Sequence, residues 1–257
     1  MELTMSSIRS WERGVVWAAL AVLTGLAWSY LISHGLHGEM SITQSASGES
    51  GLGPSLVAMS ILMWSVMMVA MMLPSAGPMI LTYLRVNQQR DSRGRRSPSV
   101  WVFVAGYLAI WLAFALTAAL LQGSLHQNAL LSSAMGHVGP LLAGTLLLIA
   151  GIFQFSHLKV ACLDKCRSPL SFLMTEWREG TRGALVMGIR HGFYCTGCCW
   201  ALMLLMFVGG AMNLVWMAGL AVYFLLEKLL PWAGQLRRIS GLLFICAGGA
   251  TLLGAAL

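Results

Sequence analysis

The sequence predicts an all-α protein: a polytopic transmembrane helix bundle of about seven spans, amino terminus in the cytoplasm and carboxyl terminus outside. Three observations carry this. Hydrophobic residues make up 58% of the 257 residues and charged ones only 10%, against roughly 25% charged in soluble domains. Apolar stretches long enough to cross a ~30 Å hydrocarbon layer recur along the chain. All sixteen Lys and Arg fall on one side of a seven-span arrangement, the distribution expected when cytoplasmic loops retain positive residues.

The first stretch, 14–33, follows Arg9 and Arg13. It is too long for a signal-peptide core and lacks a small-x-small cleavage site, so it is expected to stay as an anchor. The second, 55–82, leads into a polar linker holding Arg85, Arg90, Arg93, Arg95 and Arg96. The third and fourth, 99–122 and 138–157, precede a connection with Lys159, Lys165, Arg167, Arg178 and Arg182. The fifth, 184–210, begins with Arg190 just inside it and is interrupted by a histidine and cysteines. The sixth, 213–230, and seventh, 238–256, are joined across Lys228, Arg237 and Arg238. The chain 1–257 thus reads as a single integral membrane domain, with 1–54 an anchor span and outer loop and 55–257 the core. The net charge of +7 follows from this topology and from contact with anionic lipid. No soluble recognition element for nucleic acid is visible.

Six cysteines are placed away from any outward-facing loop. A disulfide framework needs an oxidising compartment, so reduced thiols are expected, serving as metal ligands or nucleophiles. In HGFYCTGCCW, a helix puts His191, Cys195, Cys198 and Cys199 at i, i+4, i+7 and i+8, on one face. Gly192 and Gly197 leave room for another helix to come close. Thiolate, thioether and imidazole together favour Cu(I), with zinc as the other candidate. Polar groups inside a membrane are costly and usually functional; the competing reading is that small cysteines merely pack between helices.

The second stretch contributes MWSVMMVAMMLPSAGPM. Met63, Met67 and Met71 are spaced by four, with Met68 and Met72 on a neighbouring stripe. Alone, such a stripe reads as core filler. By depth, however, Met67 and Met71 lie roughly 18–25 Å below the outer surface, level with the span-five thiols. Pro74 is expected to interrupt the helix ladder there and to open room for an ion. Glu227, in FLLEKLLP, is either a ligand or the partner of Arg190 or Lys228 in an ion pair. Cys162 and Cys166, with His157 upstream, form either a second, cytosol-facing site or plain interfacial thiols. Leu170, Leu173, Met174 and Trp177 suggest a short interfacial helix. His34, His37, Met40, His126 and His137 read as ordinary loop ends, and Cys246 as packing.

Together, HGFYCTGCCWALM, MMVAMMLPSAGPM, CLDKCRSPLSF and FLLEKLLP resemble a bacterial family of predicted metal-binding integral membrane proteins, formally a domain of unknown function. The resemblance runs from about residue 55 to the carboxyl terminus. It implies metal binding, with copper handling the usual suggestion, and a bacterial inner-membrane location. Its motifs fall on Met67, Met71, Pro74, Cys162, Cys166, His191, Cys195, Cys198, Cys199, Glu227 and Lys228. The expected function is a membrane copper chaperone or carrier holding Cu(I), with the bilayer and a copper-donating or copper-receiving protein as partners. The alternatives are a membrane thiol–disulfide oxidoreductase, relaying between Cys195–Cys198 and Cys162–Cys166, and a structural subunit of a membrane complex. No hydrolase pattern is legible, and nothing marks the chain as an enzyme.

Overall fold

A computed structural model of the chain describes residues 2–36, 54–91, 98–128, 138–211 and 213–256. His37, Met40, His137, Arg93, Arg95 and Arg96 lie outside the described residues. The expected all-α class holds: the described residues contain ten helices and no strand beyond an isolated bridge at Val138. The helices are α1 (Glu2–Leu36), α2 (Pro54–Asp91), α3 (Val100–Gln127), α4 (Pro140–Phe153), α5 (His157–Arg167), α6 (Pro169–Glu176), α7 (Gly180–Met203), α8 (Met206–Gly209), α9 (Leu214–Leu229) and α10 (Ala233–Ala256).

The span count is lower than seven. Among the described residues five segments are long and apolar enough to cross a membrane: Trp11–Gly35, Val57–Asp91, Val100–Gln127, Gly180–Gly209 and Ala233–Ala255. A bent pair, α4 with α5, raises the number to six. The expected fourth span is only the 14-residue α4, because the chain turns by 66° into α5. Ser156 caps that new helix by accepting from the Lys159 backbone N–H, 3.1 Å away, which supplies a stop and a start in one turn. The expected sixth span is α9, with 16 residues, a length of about 24 Å against a ~30 Å layer.

Contacts define two ends of the bundle. At one end Gln88 of α2 bonds Glu12 of α1, 2.8 Å away. Arg90 there pairs with Glu179 at the start of α7 and stacks over Trp177. Arg167 donates to the Leu230 carbonyl, and Arg237 at the start of α10 to the Gln154 carbonyl after α4. At the other end Trp64 bonds Gln122, the Val138 N–H reaches the Phe207 carbonyl, and Trp216 donates to the Leu205 carbonyl. Neighbouring helices therefore run alternately between a basic end and a largely uncharged one.

Pro74 does not break α2, which continues through Pro74 and Pro78 to Asp91. A proline at 74 has no N–H to offer the Ala70 carbonyl. The Trp28 indole of α1 takes that carbonyl instead, at 3.1 Å, so a side chain of α1 answers the gap where room for an ion was expected. Cys246 also departs from expectation: it is exposed on the outer surface of α10, because only one face of α10 packs on α4.

Candidate metal centre

α7 is the most enclosed of the five long segments, and its sequence explains how neighbours come so near. Gly106 on α3 and Gly188 on α7 face each other's backbones. A Cβ on Gly188 would stand 2.1 Å from the Phe103 carbonyl oxygen, and one on Gly106 2.4 Å from the Leu185 carbonyl oxygen. Such contact distances are open only to glycine. On the next side of α7, Gly197 performs the same service for α5: the Cys162 Sγ lies where its Cβ would be, 2.9 Å away.

The predicted face of α7 is real. His191, Cys195, Cys198 and Cys199 are all buried. Cys162 and Cys166 are buried with them, because α5 folds against α7 rather than lying free in a connection. Cys162 and Cys166 sit on α5 where it packs on α7, the helix that carries Cys195, Cys198 and Cys199. All five are free thiols.

A closed polar ring joins this face to three other helices. Lys228 at the end of α9 donates to the Cys195 Sγ at 3.0 Å and to the Ser75 Oγ at 2.8 Å. Ser75 donates to the Met72 carbonyl at 2.9 Å. The Tyr107 hydroxyl of α3 donates to the same carbonyl at 3.0 Å and touches the Cys195 Sγ at 3.3 Å. Beside the ring, the His191 imidazole lies between Phe103, Tyr107 and Phe172, with ring centroids 6.0, 5.5 and 5.6 Å away. Its buried Nδ1 has no hydrogen-bond partner among the described residues. An orphaned imidazole nitrogen in an apolar surround is costly unless something is there to meet it.

Glu227 is accounted for differently from expectation. It pairs with neither Arg190 nor Lys228. Its carboxylate meets the fully buried Lys159 ammonium at 2.8 Å, and accepts from the Tyr223 hydroxyl at 3.2 Å. Gln154 and Ser240 complete the network around Tyr223 at 2.7 and 2.8 Å. Arg190 pairs with Glu176. Met67 and Met71 are buried in the core, and the hydrogen bonds from α2 into the ring are made by the Met72 carbonyl and Ser75.

The donors suit a soft monovalent ion, which thiolates, thioethers and imidazole bind in preference to oxygen-seeking ions. The described residues do not show a closed coordination shell, since no three His, Cys, Asp or Glu side chains are arranged around a common point. The reason is local. The Cys198 and Cys199 thiols both donate back to the Cys195 carbonyl at 3.0 Å, and Lys228 lies against the third sulfur. An incoming ion would have to turn two thiols off one carbonyl, a rotation about single bonds.

Lys159, Tyr107, Ser75 and Lys228 are the polar residues around the site that periodicity alone missed or left as an aside. Intramembrane cost was the available signal for Lys228. For Tyr107 and Ser75 the sequence carries none, as both look like ordinary helix residues. Neither a curated protein nor a solved structure matches the chain. A family model described as copper chaperone, PpoB2, matches residues 61–251, a stretch that contains every residue of the ring and every buried cysteine. The chain belongs to this copper chaperone family.

Proposed function

We propose that the protein is a membrane-embedded carrier of Cu(I), held by Cys195 and Cys198 with Cys166, Cys199 and His191 as exchanging donors. The carrying observation is the gathering of four thiols and one unpartnered imidazole in a buried volume shared by α5 and α7. Several soft donors around one ion permit stepwise ligand exchange, which is what delivery to another protein requires. Cys162, one turn before Cys166 on α5, is the first or last sulfur on that route. Met67 and Met71 supply thioethers farther along α2. Glu227 serves as the counter-charge of Lys159 rather than as a donor. The basic end faces the cytoplasm of a bacterial inner membrane under the positive-inside rule, and the partner is a copper-donating or copper-receiving protein.

The test is copper stoichiometry. Protein purified anaerobically and loaded with Cu(I) is compared with Cys195→Ser, Cys198→Ser and the double variant. The double variant is expected to lose its bound copper; full retention removes the proposal. The neighbourhood of Cys166 with Cys195 and Cys198 also favours a second reading, thiol–disulfide exchange across the α5–α7 contact. A reversible two-electron couple in the metal-free protein, read by thiol trapping, would select that reading.

A further inference from the structure

We infer that Lys228 fixes the charge type of the cargo, so that the thiol site takes one monovalent soft cation and disfavours divalent ones. This inference rests on the copper-carrier reading. The ammonium is held in place from two sides, by Ser75 of α2 at 2.8 Å and Cys195 of α7 at 3.0 Å. Among the described residues no carboxylate neutralises it. Glu227, its neighbour in sequence, is taken by Lys159, Glu176 by Arg190 and Glu179 by Arg90. Besides Ser75 it meets the Cys195 sulfur, and the Cys198 and Cys199 thiols hang on the carbonyl of that same residue. The counter-charge of Lys228 must therefore come from sulfur.

Charge addition then decides between ions. A monovalent ion between two thiolates makes a complex of charge minus one, and the ammonium brings the sum to zero. A divalent ion between the same two thiolates makes a neutral complex, and the partly buried ammonium is left as an uncompensated charge beside an apolar interior. Such a charge is strongly disfavoured there. A divalent ion reaches neutrality only by recruiting a third thiolate, which must come off the Cys195 carbonyl or from α5. Without the ammonium the preference reverses, because the dithiolate complex of a divalent ion is then the neutral one.

The experiment measures Cu(I) and Cd(II) affinities of the full-length protein in detergent, each against a chromophoric competitor, for the parent, Lys228→Met, Lys228→Gln and Lys228→Arg. The readout is the Cu(I)-to-Cd(II) affinity ratio within each protein, which a general loss of folding does not move in one direction. The ratio is expected to fall by about tenfold or more in Met and Gln, as loss of a buried counter-ion requires, and to be kept in Arg. Measuring two neutral variants keeps the test open if one does not fold, as judged by size exclusion. An unchanged ratio in a folded neutral variant, or equal losses of both metals, overturns the role of Lys228 while leaving copper carriage intact. A parent that binds neither metal removes the carrier reading, and this inference with it.

Discussion

Replacing Glu227 with Gln removes one charge from the Lys159–Glu227 pair and leaves the other buried. Lys159 is fully enclosed and Glu227 is 1% exposed, so water cannot reach the stranded ammonium. At their 2.8 Å separation, with an effective dielectric of about 20, the direct attraction is on the order of 6 kcal/mol. Desolvation of both ions offsets part of this, and breaking such a pair by losing one partner costs about 3–5 kcal/mol net. At about 2–4 °C of Tm per kcal/mol for a chain of this size, Glu227→Gln should melt roughly 6–20 °C below the parent. The double variant Lys159→Met/Glu227→Leu removes both charges and should recover most of that loss. Tyr223 is not orphaned by it, since Ser240 and Gln154 remain as partners at 2.8 and 2.7 Å. Thermal unfolding in detergent, followed by near-UV circular dichroism, reads both values. A single variant within about 2 °C of the parent, or a double variant as weak as the single, refutes the argument that the pair's charges depend on each other.

Gly188→Ala places a methyl group 2.1 Å from the Phe103 carbonyl oxygen and should cost about 1–3 kcal/mol through overpacking, read as a lowered Tm with weaker copper retention as Tyr107 is pushed from Cys195. Trp28→Phe frees the Ala70 carbonyl beside Pro74 and should cost about 1 kcal/mol with copper stoichiometry unchanged. Cys246→Ser, on the exposed face of α10, should leave both stability and copper content at parental values.

The helical class and the buried face of α7 could be read from the chain because both depend on local periodicity. His191, Cys195, Cys198 and Cys199 recur at helical spacing, and one apolar run carries them into the interior. The span count was less legible. Hydropathy measures how greasy a stretch is, whereas the bend after Phe153 depends on the Ser156 cap and on Lys159 seeking Glu227 68 positions away. The partner of Glu227 was misread for the same reason: Lys228 is adjacent in sequence, but consecutive residues on a helix point about 100° apart. The α2 contribution was only partly legible. Met67 and Met71 drew attention as sulfur, while the link to the thiols runs through a backbone carbonyl and the Ser75 hydroxyl, which no residue-type pattern singles out.

The ring at Cys195 draws groups from four helices, and the last of them in the chain, Lys228, is 33 residues beyond the sulfur it touches. A ribosome-bound chain that has delivered only the cysteines to the bilayer holds loose thiols without their neighbouring ammonium or the clamp from Glu227. The ring is therefore closed only once α9 has docked against α2 and α7.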